Sequence, residues 1–168
     1  MASGLARSAL TRMMSTLTFG NYQTLQVTRP SDFVVHVELN RPDKRNAMSQ
    51  DMVSEIRHCF DSLGSDEDCR AIVLSGKGKL FSAGVDLKDL MAVGQLTMDP
   101  NLDTARKSSK LFSFVRAFQH SMSSLEKCNK PVIAAVHGGC LGAGINLVSA
   151  ADIRYAATDA FFTIKVQD

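Results

Sequence analysis

Apolar and polar positions change period several times along the chain. Phe33 to Leu39 alternates and is rich in β-branched residues, which predicts a strand. Asn40-Arg41-Pro42-Asp43 reads as a turn. Ser49 then offers a helix N-cap, with Asp51 in the first turn. Met52, Ile56, Cys59, Phe60 and Leu63 recur at helical spacing, and Gly64 is expected to stop that helix. Ala71 to Leu74 is a short apolar strand, and Ser75 to Leu80 is a Gly/Lys loop. A second helix is predicted from Thr104 to Lys127, with Leu111, Phe114, Val115, Phe118, Met122 and Leu125 as an apolar stripe. That stripe is expected to be core rather than ligand pocket. Pro131 opens a strand from Val132 to Val136, a glycine-rich loop covers 138–144, and an apolar helix follows to about Ala151. Ile153 to Ala156 and Phe161 to Ile164 are further short strands. Strands and helices alternate, so the fold class is α/β.

Composition narrows the function. The chain has 168 residues, 45% hydrophobic and 21% charged, which is room for one globular domain. No apolar run approaches the ~20 residues of a membrane span. The net charge of +2 is unevenly placed: residues 1–31 hold Arg7, Arg12 and Arg29, no lysine and no acid. The remainder carries 16 basic and 17 acidic residues, so no basic stripe is available for a nucleic acid. Cys59, Cys69, Cys128 and Cys140 form no CxxC pair, and no zinc or other metal site is expected. They read as reduced, mostly buried thiols, as in an intracellular compartment.

The first 28 residues are rich in Arg, Ser and Thr, with Leu5, Ala9 and Met13 on one helical face. This pattern is that of a mitochondrial presequence, and a tail of chance composition is the alternative. A matrix location is expected, and Val166-Gln167-Asp168 is not a peroxisomal signal. The apolar strand near residue 161 stands almost at the C-terminus, where an open edge is a liability, so further chain is expected beyond it.

Three segments offer chemistry. The loop at 138–144 lets backbone approach a ligand and presents a helix N-terminus. Its spacing fits neither a dinucleotide fingerprint nor a P-loop, and close strand–helix packing explains the glycines equally well. Phe81-Ser82-Ala83-Gly84-Val85-Asp86-Leu87 places small residues before an acid, where Asp86 either serves a site or caps a helix. Asn40 to Met48 sets three cations beside a turn, fit for an anionic ligand or for plain solvation.

Taken in order, NRPDKRNAM, GKGKLFSAGVDLKDL and NKPVIAAVHGGCLGAGINLVSAADIRYAATDAFF resemble the enoyl-CoA hydratase/isomerase (crotonase) superfamily. AAVHGGC followed by ADIRYAA looks most like its mitochondrial and peroxisomal Δ3,5-Δ2,4-dienoyl-CoA isomerases. The resemblance implies a spiral of ββα units, with residues 29–168 as the N-terminal portion of such a domain. It implies an acyl-CoA thioester as partner and no cofactor, CoA being part of the substrate. The backbone N–H groups of Val85 and Ala143 would form an oxyanion hole. Lys44, Arg45 and Ala47 would lie along the CoA nucleotide. Ala83, Gly84, Val85, Asp86 and Leu87 would lie along the thioester and pantetheine, with Ala143 opposite.

Two departures stand out. Relatives carry catalytic carboxylates where this chain has Asn146 and Val166, and a third beyond residue 168. Neither side chain takes up a proton at neutral pH, and each lost acid or base costs roughly 10²–10⁴-fold. The chain is therefore expected to be an isomerase-like protein of fatty-acid β-oxidation with impaired or no activity. The alternatives are a hydratase-type lyase, a non-catalytic acyl-CoA- or partner-binding short isoform, or a gene fragment. The family forms trimers or hexamers, and a truncated chain is expected to lose much of that interface.

Overall fold

The computed structural model describes residues 21–164. Residues 1–20, most of the expected presequence, lie outside the described residues, as does Val166. Residues 25–28, assigned above to the tail, belong to the fold. They open strand β1 (Leu25–Ser31), which pairs antiparallel with β2 (Val34–Leu39). The reason is local: Leu25 is buried, and the Thr24 hydroxyl and N–H and the Gln23 N–H all donate to the Glu55 carboxylate.

Four strand-and-return units follow. Strand β2 leads through a 3-10 turn (Pro42–Lys44) to helix α1 (Gln50–Ser65). Strand β3 (Ala71–Gly76) leads to helices α2 (Leu87–Met98) and α3 (Thr104–Lys127). Strand β4 (Val132–Val136) leads through the short β5 (Gly139–Leu141) to α4 (Ala143–Ala150). Strands β6 (Ile153–Ala156) and β7 (Phe161–Thr163) begin the next turn. The main sheet runs β1-β2-β3-β4-β6, parallel throughout except for β1. A second ladder is built from the return segments: Met48 bridges Val85, Ser82 bridges Cys140, and β5 pairs with β7. Each unit thus gives one strand to the sheet and one short segment to the ladder, which is the spiral of ββα units.

Parallel strands need a covering layer. Val35, Val37, Leu39, Ile72, Leu74, Val132, Ala134 and Val136 alternate onto one buried face. Helix α1 supplies Met52, Ile56, Cys59, Phe60 and Leu63 to the core, at the spacing the sequence predicts. Burying a side chain such as Phe60 contributes about 1.5–3 kcal/mol. The Ser49 hydroxyl caps α1 by accepting from the Met52 N–H. Gly64 does not stop the helix: α1 runs to Ser65, where the Asp66 N–H bonds to the Leu63 carbonyl. A Cβ at Gly64 would stand 3.7 Å from the Cys128 Sγ, so the residue lies at a close approach to the segment after α3.

Helix α3 has the predicted limits but not the predicted burial. Its fully buried residues are confined to the C-terminal end, at Ser121, Met122, Ser124 and Leu125, with Phe118 packed partly buried against the core. Leu111 and Val115 are exposed, and Phe114 and Phe118 are half-buried beside a cavity. Strands β6 and β7 are also exposed, at Ile153, Tyr155, Phe161 and Phe162. No described helix is long and apolar enough to cross a membrane.

Candidate functional site

The spiral brings the three sequence segments to one place. Segment 44–48 meets segment 82–86 through backbone bonds: the Ala83 N–H donates to the Arg45 carbonyl at 2.9 Å, and the Met48 N–H to the Gly84 carbonyl at 2.8 Å. The Asp86 N–H returns to the Met48 carbonyl at 3.0 Å. Segment 82–84 then meets the glycine loop. The Ser82 N–H donates to the Gly139 carbonyl at 3.2 Å, and the Leu141 N–H to the Ser82 carbonyl at 2.9 Å.

Gly84 lies where these contacts cross. Its φ is +90°, and an added Cβ would stand 3.1 Å from the Leu141 carbonyl oxygen and 3.6 Å from the Ala143 nitrogen. The turns carrying Val85 and Ala143 therefore abut. Gly84 C=O and Val85 N–H belong to one trans peptide and point in opposite directions. Because the carbonyl is taken by Met48, the Val85 N–H faces away from it. Ala143 is the first residue of α4, whose N–H has no partner within the helix. Among the described residues, neither the Val85 nor the Ala143 N–H has a hydrogen-bond acceptor. Ala143 keeps a negative φ, so its Cβ is accommodated, and Gly142 before it takes the turn at φ +47°. Gly144 has a packing role: a Cβ there would meet the Ser82 Cβ at 3.0 Å. The close-packing reading of the glycine loop thus holds at Gly144.

The side chains around this crossing are fixed. Asp86 caps α2 by accepting from the Lys88 N–H, and its other oxygen pairs with Arg41 at 2.9 Å. That Arg41 hydrogen bond holds the Asp86 carboxyl below its ordinary value. Arg41 also donates to the Ala47 carbonyl. Asn46, fully buried with φ +52°, accepts from the Arg41 N–H and donates to the carbonyls of Lys77 and Leu80. Arg41 is one of the three cations of the 40–48 turn and Ser82 lies in the 81–87 segment, but the bonds that Arg41, Asn46 and Ser82 make are not legible in the sequence. Asparagine's tolerance of positive φ, in a turn beside proline, was the available signal for Asn46.

A cavity of about 440 Å³ opens beside Val85. Met48, Val53, Phe114, Ala117 and Phe118 give it apolar walls, and Gln50, Ser54, Arg57 and Asp89 are its polar groups. The Asp89 carboxylate accepts from the Gln50 N–H at 2.7 Å. The apolar stripe of α3 is therefore partly pocket, contrary to the expectation of pure core. Its Phe114 and Phe118 line the cavity together with residues from the start of α1, and Phe118 also packs against the core.

The other expected residues are placed as follows. Lys44 and Arg45 are exposed on and after the 3-10 turn, and Ala47 is half-buried. Ala83 is half-buried, and Leu87 is exposed at the start of α2. Asn146 is exposed on α4 and does not line the cavity. Burial raises the thiols of Cys59 to about 12 and of Cys140 to about 11. Among the described residues no group of three or more His, Cys, Asp or Glu could hold a metal ion.

With this geometry in view, residues 30–167 match the protein family described as "Enoyl-CoA hydratase/isomerase". The chain is 44% identical over 166 residues to the mitochondrial Delta(3,5)-Delta(2,4)-dienoyl-CoA isomerase of Rattus norvegicus, covering 99% of this chain and 50% of that protein. It is 40% identical over 154 residues to a peroxisomal isomerase of the same name from Arabidopsis thaliana, covering 90% and 55%. The crystal structure of a putative enoyl-CoA hydratase from Streptomyces coelicolor superposes with a TM-score of 0.73 at 32% identity, covering 88% of this chain and 50% of that one. The chain spans about half the length of the curated relatives it matches.

Proposed function

Because the chain belongs to the enoyl-CoA hydratase/isomerase family, we propose that it binds an acyl-CoA thioester with the carbonyl oxygen on the N–H groups of Val85 and Ala143. The observation that carries this reading is the pair of amides without acceptors on two abutting turns. Donors fixed before the ligand arrives stabilise an enolate oxygen without reorganising, and one such donor is worth about 3–4 kcal/mol. The cavity at Val85 suits an apolar acyl chain, and Lys44 and Arg45 suit the phosphates of CoA.

The reaction class is that of the relatives: double-bond migration in a dienoyl-CoA during fatty-acid oxidation, by proton removal and return. In this chain that step is impaired. The exposed Asn146 amide takes up no proton, and Val166 has no titratable group. A hydratase reading meets the same obstacle and rests on a weaker likeness, 32% identity to the Streptomyces protein against 44% to the rat isomerase. A mitochondrial location is supported by the name of the rat protein and by the acid-free, arginine-bearing first 31 residues. The Arabidopsis protein makes the peroxisome the competing address.

Titration calorimetry of the purified chain with trans-2-hexenoyl-CoA tests the reading. One saturable site is expected, with affinity falling at least about tenfold when Lys44 and Arg45 are both replaced by alanine. Absence of acyl-CoA binding overturns it.

A further inference from the structure

We infer that Asn46 and Ser82 are positioning residues for the thioester carbonyl, acting through the Val85 peptide. This rests on the acyl-CoA reading above. Neither side chain needs to touch the ligand. The Ser82 hydroxyl is fully buried, donates to the Asn46 carbonyl at 2.9 Å and accepts from the Gly84 N–H at 3.2 Å. A hydroxyl has one proton, so directing it at Asn46 leaves its lone pairs for Gly84. Asn46 is anchored in turn to the loop after β3, through Lys77 at 2.8 Å and Leu80 at 3.1 Å. Gly76 leaves room for this: a Cβ there would stand 3.0 Å from the Asn46 Nδ2.

The relay runs from the end of β3 through Asn46 and Ser82 to the Gly84 N–H. The Gly84 N–H anchors the peptide before Gly84 and the Gly84 carbonyl anchors the peptide that carries the Val85 N–H, so holding both fixes the φ and ψ of Gly84 and with them the direction of the Val85 N–H. Fully buried polar side chains are costly unless paired. Here the pairing also holds a backbone at φ +90° beside Ala143.

The test uses the full chain and trans-2-hexenoyl-CoA carrying 13C at the thioester carbonyl. Difference infrared spectroscopy reads the carbonyl stretch of bound ligand, which the unaltered chain is expected to lower relative to free ligand. Ser82→Ala is expected to remove most of that lowering and to weaken acyl-CoA binding about tenfold. Its far-UV circular dichroism and its affinity for free CoA, which lacks the carbonyl, stay as in the unaltered chain. Asn46→Gly, which tolerates the positive φ, is expected to behave likewise. General loosening would weaken both ligands together and leave the bound carbonyl stretch where the unaltered chain puts it. That result in Ser82→Ala overturns the inference. Should the unaltered chain bind acyl-CoA without lowering the stretch, the proposed function fails, and amide exchange decides the relay alone. Gly84 exchanging about tenfold faster in Ser82→Ala supports it, and unchanged exchange overturns it.

Discussion

Met48 and Val85 face each other as a single parallel bridge, and only Met48 uses its backbone groups in it. The Met48 N–H goes to Gly84 and its carbonyl to Asp86, at 2.8 and 3.0 Å. Val85 sits between two bonded neighbours with its own N–H left over. A parallel ladder produces this by its slant: the residue opposite is skipped, and its groups point to the other side. In a longer ladder the next segment would take that N–H. Here the next segment, β5, bonds to Ser82 instead, three residues earlier.

Gly84→Ala is expected to disturb this point first. The backbone is at φ +90°, and a Cβ would crowd the Leu141 carbonyl at 3.1 Å. A loss of about 1–3 kcal/mol follows from the strained dihedral. Urea denaturation should show it, with acyl-CoA affinity reduced in the fraction that remains folded.

The Arg41–Asp86 pair predicts an acid limb in stability. Arg41 lowers the folded-state pKa of Asp86. The pair's contribution is then complete above the unfolded carboxyl value of about 3.9 and is lost as pH falls below that through the lower folded value. Asp86→Asn keeps a good N-cap for α2 but removes the charge. It should cost about 1–2 kcal/mol at neutral pH and less as the medium is acidified. Denaturation midpoints of both proteins between pH 7 and about 3 check the convergence.

Thiol labelling should separate native from unfolded chain. Cys59, Cys69 and Cys140 are buried, and burial raises all three thiols. At pH 8 an aromatic disulfide reagent is expected to modify Cys128 at most within minutes, since it alone is half-buried. All four should react in denaturant. Rapid native labelling of Cys59 would contradict the packing of α1.

The cavity should reveal itself through chain length. If acyl carbons enter between α1 and α3, affinity should rise from butyryl- to octanoyl-CoA by up to about 0.8 kcal/mol per added methylene. Phe118→Ala removes part of the wall, and the increment should shrink. Calorimetry over the acyl series measures both slopes.

Much of this was legible in the sequence. Helix α1 announced itself through Ser49 and five apolar residues at helical spacing, because its stripe meets the core directly. The Asp86 cap was legible for the same local reason. What escaped notice depends on distance along the chain. Asn46 bonds to residues 31 and 34 positions away, and Ser82 reaches back 36. No local period encodes such contacts. Strand β1 is not legible because only Leu25 and Val27 mark it, inside a stretch with a leader's composition. The stripe on α3 is legible, but periodicity reports that a face is apolar and not what it faces. Phe114 and Phe118 face a cavity.

The chain is proposed to hold an acyl-CoA without moving its double bonds. The direct measurement is to mix protein in excess with 3,5-octadienoyl-CoA, follow the ultraviolet absorbance of the 2,4-dienoyl product, and assay ligand retained on ultrafiltration. The account predicts that the ligand is retained and stays unchanged, with Asn146→Asp alone restoring nothing. Steady conversion by the unaltered chain, or passage of all the ligand through the membrane, would contradict it.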